Sequence, residues 1–167
     1  MVVFFKMIQT KLKQVICSIR SDHVTEFENS KLDQFCMKNG TSDNFSVPRT
    51  PQQNGVVERK NRTLVNISKT MIIESNLPQN FWAETVNTVC HVTDRCVIRV
   101  VLNKTPYELL NNGKPMLSYL RAFGCRCFVL NNVKDDLGKF DPRSDEGVFV
   151  GYSSSSKAYR MFIKRTQ

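Results

Sequence analysis

The 167 residues include only two histidines, His23 and His91, and one tryptophan, Trp82. Neither histidine stands at ligand spacing from a cysteine pair. Cys125-Arg126-Cys127 sets two thiols on one face of a strand with no second pair to complete a site, so a structural zinc centre is not expected. The six cysteines (Cys17, Cys36, Cys90, Cys96, Cys125 and Cys127) sit mostly inside apolar patterns, where a reduced thiol acts as a small hydrophobe. No stretch approaches the roughly eighteen apolar residues that span a bilayer, and Met1 to Phe5 is too short for a signal sequence. A membrane partner is therefore not expected, and an intracellular setting is the simplest expectation. Acids are the scarcer charge: 15 Asp and Glu stand against 24 Lys and Arg, a net charge of +9 with a pI near 9.4. The excess runs through both halves, 11 basic and 7 acidic groups before residue 76 and 13 and 8 after it. It favours an anionic partner, most commonly nucleic acid. A hydrophobic fraction of 41% and a mean hydropathy of −0.32 suit a soluble globular chain. The length suits one domain, or a core piece with a small module.

The most informative stretch is Thr50-Pro51-Gln52-Gln53-Asn54-Gly55-Val56-Val57-Glu58-Arg59-Lys60-Asn61-Arg62. Pro51 and Asn54-Gly55 make it irregular, and no helix breaker follows until Pro78. Val57, Leu64, Ile67 and Met71 recur at helical spacing and read as an apolar stripe. Glu58 falls in or near the first turn. At about 100° per residue, Arg62 and Lys69 lie within roughly 40° of it around the axis. An acid in a first turn can simply complement the helix dipole. Upstream, Val15-Ile16-Cys17-Ser18-Ile19-Arg20-Ser21-Asp22 reads as a buried strand with a carboxylate at its C-terminal end, where ligands gather in open α/β sheets. Thirty-five residues separate Asp22 from Glu58.

Periodicity and breakers predict the other elements. Val2 to Phe5 suits a strand remnant or the opening of a helix, and Lys6 to Gln14 a short amphipathic helix. Ser30 to Asn39 suits a second helix with Leu32, Phe35 and Cys36 inward, and Asp43 to Val47 a short strand. Phe81 to Cys96 reads as a helix whose inner face is Trp82, Val86, Val89 and Cys90. Thr105-Pro106 opens a short helix stopped at Asn112-Gly113. After Pro115 the pattern becomes β-like, with strands at Phe123 to Leu130, Glu146 to Tyr152 and Ala158 to Ile163. A boundary near residue 117 follows. Glu26, Glu28 and Asp33 read as ordinary exposed acids.

Ile19-Arg20-Ser21-Asp22-His23-Val24-Thr25-Glu26-Phe27 resembles the block around the second catalytic aspartate of the integrases of retroviruses and LTR retrotransposons. Pro48 to Asn61 resembles the block around their catalytic glutamate. The copia-type branch is the most similar, and the likeness continues through Asn80-Phe81-Trp82-Ala83-Glu84, Lys104 to Leu109, Leu120 to Cys125 and Gly147 to Tyr152. The resemblance implies that Asp22 bridges two Mg²⁺ (or Mn²⁺) ions and that Glu58 ligates one of them. Such ions, held ~4 Å apart, activate water or a DNA 3′-hydroxyl for attack on a phosphodiester. It implies that Gln53, Asn54 and Gly55 form a mobile loop closing on DNA, with Arg59, Lys60, Arg62 and Lys69 along the phosphates. It also implies transposon ends and target DNA as partners, self-association, and a nuclear location.

Two departures shape the expectation. No acid precedes Asp22, whereas the family's first catalytic aspartate lies earlier, on the first core strand. Val24 stands where the family carries glycine, a strain of ~1–3 kcal/mol if that turn needs positive φ. The zinc-binding segment that precedes the family's core is also absent. The expected architecture is an N-terminally truncated α/β core of the ribonuclease-H-like type over residues 1–117, followed by a small β-barrel-like module over 118–167. The expected function is that of an integrase-like fragment, inactive alone and not holding its metals stably. The alternative is a non-catalytic nucleic-acid-binding remnant or a domesticated DNA-binding protein, with Lys157, Arg160, Lys164 and Arg165 as a second basic run.

Overall fold

Val2-Val3-Phe4-Phe5 opens a helix rather than a strand: α1 spans Val2–Leu12. In the computed structural model, which describes residues 2–21, 30–45, 54–130 and 143–163, α1 leads into β1 (Ser18–Ser21), α2 (Ser30–Asn39) and β2 (Ser42–Phe45). Then come α3 (Gly55–Ser75), a 3-10 turn (Gln79–Phe81), α4 (Trp82–Cys96) and α5 (Pro106–Asn111). The chain closes with β3 (Arg126–Leu130), β4 (Ser144–Tyr152) and β5 (Tyr159–Ile163). It forms two compact units, Met1–Asn61 and Arg62–Gln167.

In the first unit, β1 alternates as its sequence requires, with Ile19 and Ser21 buried and Ser18 and Arg20 exposed. β1 pairs in parallel with β2, from Ser18 opposite Ser42 to Ser21 opposite Phe45, with α2 in the crossover. Leu32, Phe35 and Cys36 of α2 pack with Ile19 as the core, and Val2, Phe5 and Ile16 lie partly buried against them. The rings of Phe5 and Phe35 stack at 5.9 Å. Gly40 ends α2 at φ +62°, the left-handed conformation that closes a helix, and the Thr41 N–H donates to the Cys36 carbonyl at 3.0 Å. The strand expected at Asp43 to Val47 is realised over Ser42–Phe45; residues 46 and 47 lie outside the described residues.

The apolar stripe of α3 is not a buried face. Val57 and Ile67 are exposed and Leu64 and Met71 half-buried, and the one buried residue of the helix is Ser68, whose hydroxyl donates to the Leu64 carbonyl. On α4 the inner face is Thr85, Thr88 and Val89, with Val86 and Cys90 half-buried. Trp82, expected inside, is 64% exposed. Phe81 takes the inward position instead, its ring edge-on to Phe162 at 4.9 Å. Threonine fills the inner face because α4 runs close to β4. The Thr88 hydroxyl donates to the Val150 carbonyl at 3.2 Å, and a Cβ on Gly151 would stand 2.6 Å from that hydroxyl oxygen.

β3, β4 and β5 form an antiparallel sheet in that order, with an irregularity between Phe149 and Gly151. Among the described residues the sheet is open, without the barrel closure expected from the sequence. Thr105 caps α5 with a full capping box. Its hydroxyl accepts from the Glu108 N–H and its own N–H donates to the Glu108 carboxylate, which holds the Glu108 carboxyl below its ordinary pKa.

Candidate functional site

β1 ends at Ser21, so Asp22 is the next residue after a parallel strand paired along its whole length. Asp22 itself lies outside the described residues, as do Val24, Gln53, Lys164 and Arg165. The expected approach of the Asp22 and Glu58 carboxylates therefore also lies outside them. Glu58 sits in the first turn of α3, exposed, where its charge complements the helix N-terminus. The helix is unbroken from Gly55 to Ser75, so helical spacing carries from Glu58 through Arg62 to Lys69. Lys60, Arg62 and Lys69 are exposed, and among the described residues no ion pair engages them. Asn54 is half-buried just ahead of the helix, and Arg59 is exposed. Among the described residues no three His, Cys, Asp or Glu side chains are grouped to hold a metal ion.

The C-terminal basic run differs from its appearance in the sequence. Arg160 is paired with Glu84 of α4 at 2.7 Å, so it is not an unneutralised cation. Lys157 is exposed and unpaired among the described residues.

A second arrangement, in the Arg62–Gln167 unit, has no counterpart in the sequence expectations. His91 stacks on Tyr152 with ring centroids 4.2 Å apart and planes inclined by 15°. Its Nε2 lies 2.9 Å from the Tyr119 hydroxyl. The Tyr159 hydroxyl donates to the Tyr119 carbonyl at 2.8 Å, and the Tyr152 hydroxyl accepts from the Arg121 N–H at 2.9 Å. Arg95, one turn beyond His91, holds its guanidinium 4.8 Å from the Tyr107 ring centre and donates to the His91 carbonyl. These groups line a cavity of ≈ 470 Å³. Burial, then the Arg95 charge, pulls the His91 imidazole below its ordinary pKa against a smaller opposing pull from Asp94. Burial raises the Tyr152 phenol, partly offset by the Arg121 N–H. The four tyrosines are scattered over more than fifty residues, so no periodicity links them; only the i, i+4 relation of His91 and Arg95 is visible locally.

Residues 125–167 match the family model of the retroviral polymerase SH3-like domain. The retrovirus-related Pol polyprotein of transposon TNT 1-94 from Nicotiana tabacum is 31% identical over 159 residues, 95% of this chain and 12% of that protein. The corresponding polyprotein of transposon RE1 from Arabidopsis thaliana is 27% identical over 172 residues, 98% of this chain and 12% of that protein. An uncharacterized mitochondrial protein of Arabidopsis thaliana is 32% identical over 87 residues, covering 52% of this chain and 69% of its own length. The chain thus spans about an eighth of the polyproteins it matches, 12% of each. Among solved structures, the simian T-cell lymphotropic virus intasome in complex with PP2A regulatory subunit B56 gamma aligns with a TM-score of 0.51 at 12% identity, covering 97% of this chain and 60% of that one. The HTLV-2 integrase catalytic core domain in complex with magnesium aligns with a TM-score of 0.47 at 17% identity, over 66% of this chain and 67% of that one. Over 95% of its length the chain is homologous to the Pol polyproteins of copia-type retrotransposons, and its mixed α/β fold, followed by a small antiparallel sheet module, is similar to that of the intasome chain.

Proposed function

We propose that this chain is an integrase-like segment whose family role is DNA integration by metal-dependent strand transfer, and that these 167 residues alone do not perform it. One observation supports this most. A parallel strand runs directly into Asp22, Glu58 opens the first turn of α3 thirty-five residues later, and the chain is homologous to Pol polyproteins over 95% of its length. Asp22 and Glu58 are the proposed catalytic carboxylates, and Gln53 and Asn54 the proposed loop against DNA. The integrase-core part is proposed to run over 1–117 and the β-rich module over 118–167.

A divalent cation belongs to the family's chemistry, and the HTLV-2 core carries magnesium. The described residues do not fit such a centre: Glu58 is exposed and no second acid groups with it among them. Two carboxylates without a third leave Mg²⁺ largely held by its own water. Stable binding of Mg²⁺ or Mn²⁺ by the isolated chain is thus not expected, and calorimetric titration with MnCl₂ measures it. With Mg²⁺ or Mn²⁺, a strand-transfer and nicking assay is expected to show no product. Product that disappears in Asp22→Asn and Glu58→Gln variants would overturn the proposed inactivity.

A second reading, a non-catalytic DNA-binding segment acting in the nucleus, is favoured by Lys60, Arg62 and Lys69 of α3, exposed and engaged by no ion pair among the described residues. Lys60, Arg62 and Lys69 suit phosphates, which carry no sequence information, so binding is expected to be sequence-indifferent and salt-sensitive. Each neutralised contact flattens the log–log salt slope on duplex DNA by ~0.9, so Arg62→Ala/Lys69→Ala is expected to flatten it by ~1.8. Equal slopes for the folded wild type and variant mean that this helix does not touch DNA.

A further inference from the structure

We propose that the cavity between α4, α5 and the β4–β5 turn is a binding site for one nucleotide unit, a planar base with its phosphate, taken free or from single-stranded nucleic acid. Its lining shares no residue with the proposed integrase site, and it does not rest on the integrase reading. The volume of ≈ 470 Å³ lies within the range of small-molecule sites. Its walls are the rings of His91, Tyr107, Tyr119, Tyr152 and Tyr159. Two cations, Arg95 and Lys157, also line it, and among the described residues no carboxylate does. That combination selects a ligand chemistry. A ring-lined cavity without cations would favour a quaternary ammonium; Arg95 and Lys157 repel one. A purely apolar ligand would leave two cations without purpose.

A base stacks on aromatic rings with little regard to its identity, and its phosphate meets the cations. Arg95 holds its guanidinium carbon 4.8 Å from the Tyr107 ring centre and uses one nitrogen on the His91 carbonyl, which leaves further N–H donors for a phosphate oxygen. Lys157 is exposed, without an ion pair among the described residues, and lies beside a serine turn gathered around the Ser153 hydroxyl. His91 is held neutral by burial, so its ring serves as a stacking surface rather than a third cation.

The test is calorimetric titration of the 167-residue chain with 5′-AMP, 5′-UMP, inorganic phosphate, a (dT)₁₀ oligonucleotide, duplex DNA and a phosphotyrosine peptide. Nucleotides or (dT)₁₀ are expected to bind well above inorganic phosphate. Lys157→Ala, which removes no contact, and Tyr159→Ala are each expected to weaken that binding by roughly tenfold. Tyr159→Phe, which keeps the ring and loses only the bond to the Tyr119 carbonyl, is expected to retain it. Tighter binding of AMP and UMP than of (dT)₁₀ identifies a free-nucleotide site, and the reverse a single-strand site; either supports the proposal. It is overturned if neither nucleotides nor (dT)₁₀ bind, or if Lys157→Ala and Tyr159→Ala both leave binding unchanged. It is also overturned by equal preference for duplex DNA, or by tighter binding of the phosphotyrosine peptide.

Discussion

The two compact units are built on different means. Among its described residues the Met1–Asn61 unit has a two-stranded parallel sheet and a core of four buried side chains, Ile19, Leu32, Phe35 and Cys36. Its β strands also carry buried polar atoms that find no hydrogen-bond partner among the described residues, the Ser21 hydroxyl and both carboxylate oxygens of Asp43. The Arg62–Gln167 unit instead ties helix to sheet through side chains. Thr88 bonds Val150, Glu84 pairs with Arg160, and a ring cluster joins His91, Tyr119, Phe149, Tyr152 and Tyr159. The difference matters for function. Glu58, in the first turn of α3, needs little more than backbone direction to present its carboxylate, and it belongs to the sparse unit. A ring-lined cavity needs many side chains fixed against one another, and it occurs in the dense one.

If the first unit rests on so few residues, removing one should be felt strongly. Leu32 is fully buried, and Leu32→Ala is expected to cost about 2–5 kcal/mol, the transfer of the lost methyl groups plus the cavity left behind. A urea titration measures it, and a cost below ~1 kcal/mol would mean that the four-residue cluster does not support this unit. In the dense unit a single change should matter less, because neighbours share the load. Thr88→Val keeps the shape and removes one hydrogen bond to the Val150 carbonyl, at about 0.5–1.5 kcal/mol. A loss as large as that of Leu32→Ala would erase the contrast between the units.

Much of the fold was legible because local rules and tertiary packing agreed. Leu32, Phe35 and Cys36 lie inward as their spacing predicts, and the Thr105-Pro106 opening of α5 carries its full capping box. The fold class followed from motifs that resemble an integrase, not from periodicity. The failures share a cause: apolar spacing says which face could be buried but not what stands against it. Val57 and Ile67 keep helical spacing on an exposed face, and Trp82 yields the inner position to Phe81. Thr85 and Thr88 are buried because β4 approaches through Gly151, and their hydroxyls bond the Phe81 and Val150 carbonyls. No hydropathy pattern marks a threonine for that. Of the candidate site, the sequence shows the spacing of Asp22 and Glu58 and the cations of α3, while the aromatic cavity exists only through long-range packing.

The ring cluster also gives the dense unit a pH dependence on the acid side of neutrality. His91 has an ordinary pKa of 6.5 and a lower one in the fold, from burial first and Arg95 second. Between those two values the unfolded chain binds more protons than the folded one, so stability present above pH 6.5 is lost as pH falls toward the lowered value. His91→Phe keeps a ring on Tyr152 and removes the titration. The urea midpoint of the wild type is expected to fall more steeply from pH 7 to about pH 5 than that of the variant. Parallel curves would assign the slope to other groups.

The smallest expected effect separates two ion pairs within the dense unit itself. Arg126 and Glu146 meet at 2.6 Å on neighbouring strands, but their side chains are 66% and 38% exposed. Water screens such a pair and side-chain entropy opposes it, so Arg126→Ala is expected to cost about 0.5 kcal/mol or less. Arg160 and Glu84 meet at 2.7 Å with Glu84 only 26% exposed, and the second Glu84 oxygen is buried without a partner. Arg160→Ala leaves that carboxylate less hydrated than an exposed one and unpaired, which is expected to cost more, about 1 kcal/mol. Double-mutant cycles with Glu146→Gln and Glu84→Gln isolate each coupling from other losses. At about 1 M salt, where the screening length is ~3 Å, the Arg126–Glu146 coupling is expected to vanish and the Arg160–Glu84 coupling to persist in part. Equal couplings with equal salt sensitivity would show that burial does not distinguish the two pairs. Arg160 would then be as available to an anionic partner as any exposed cation of the chain.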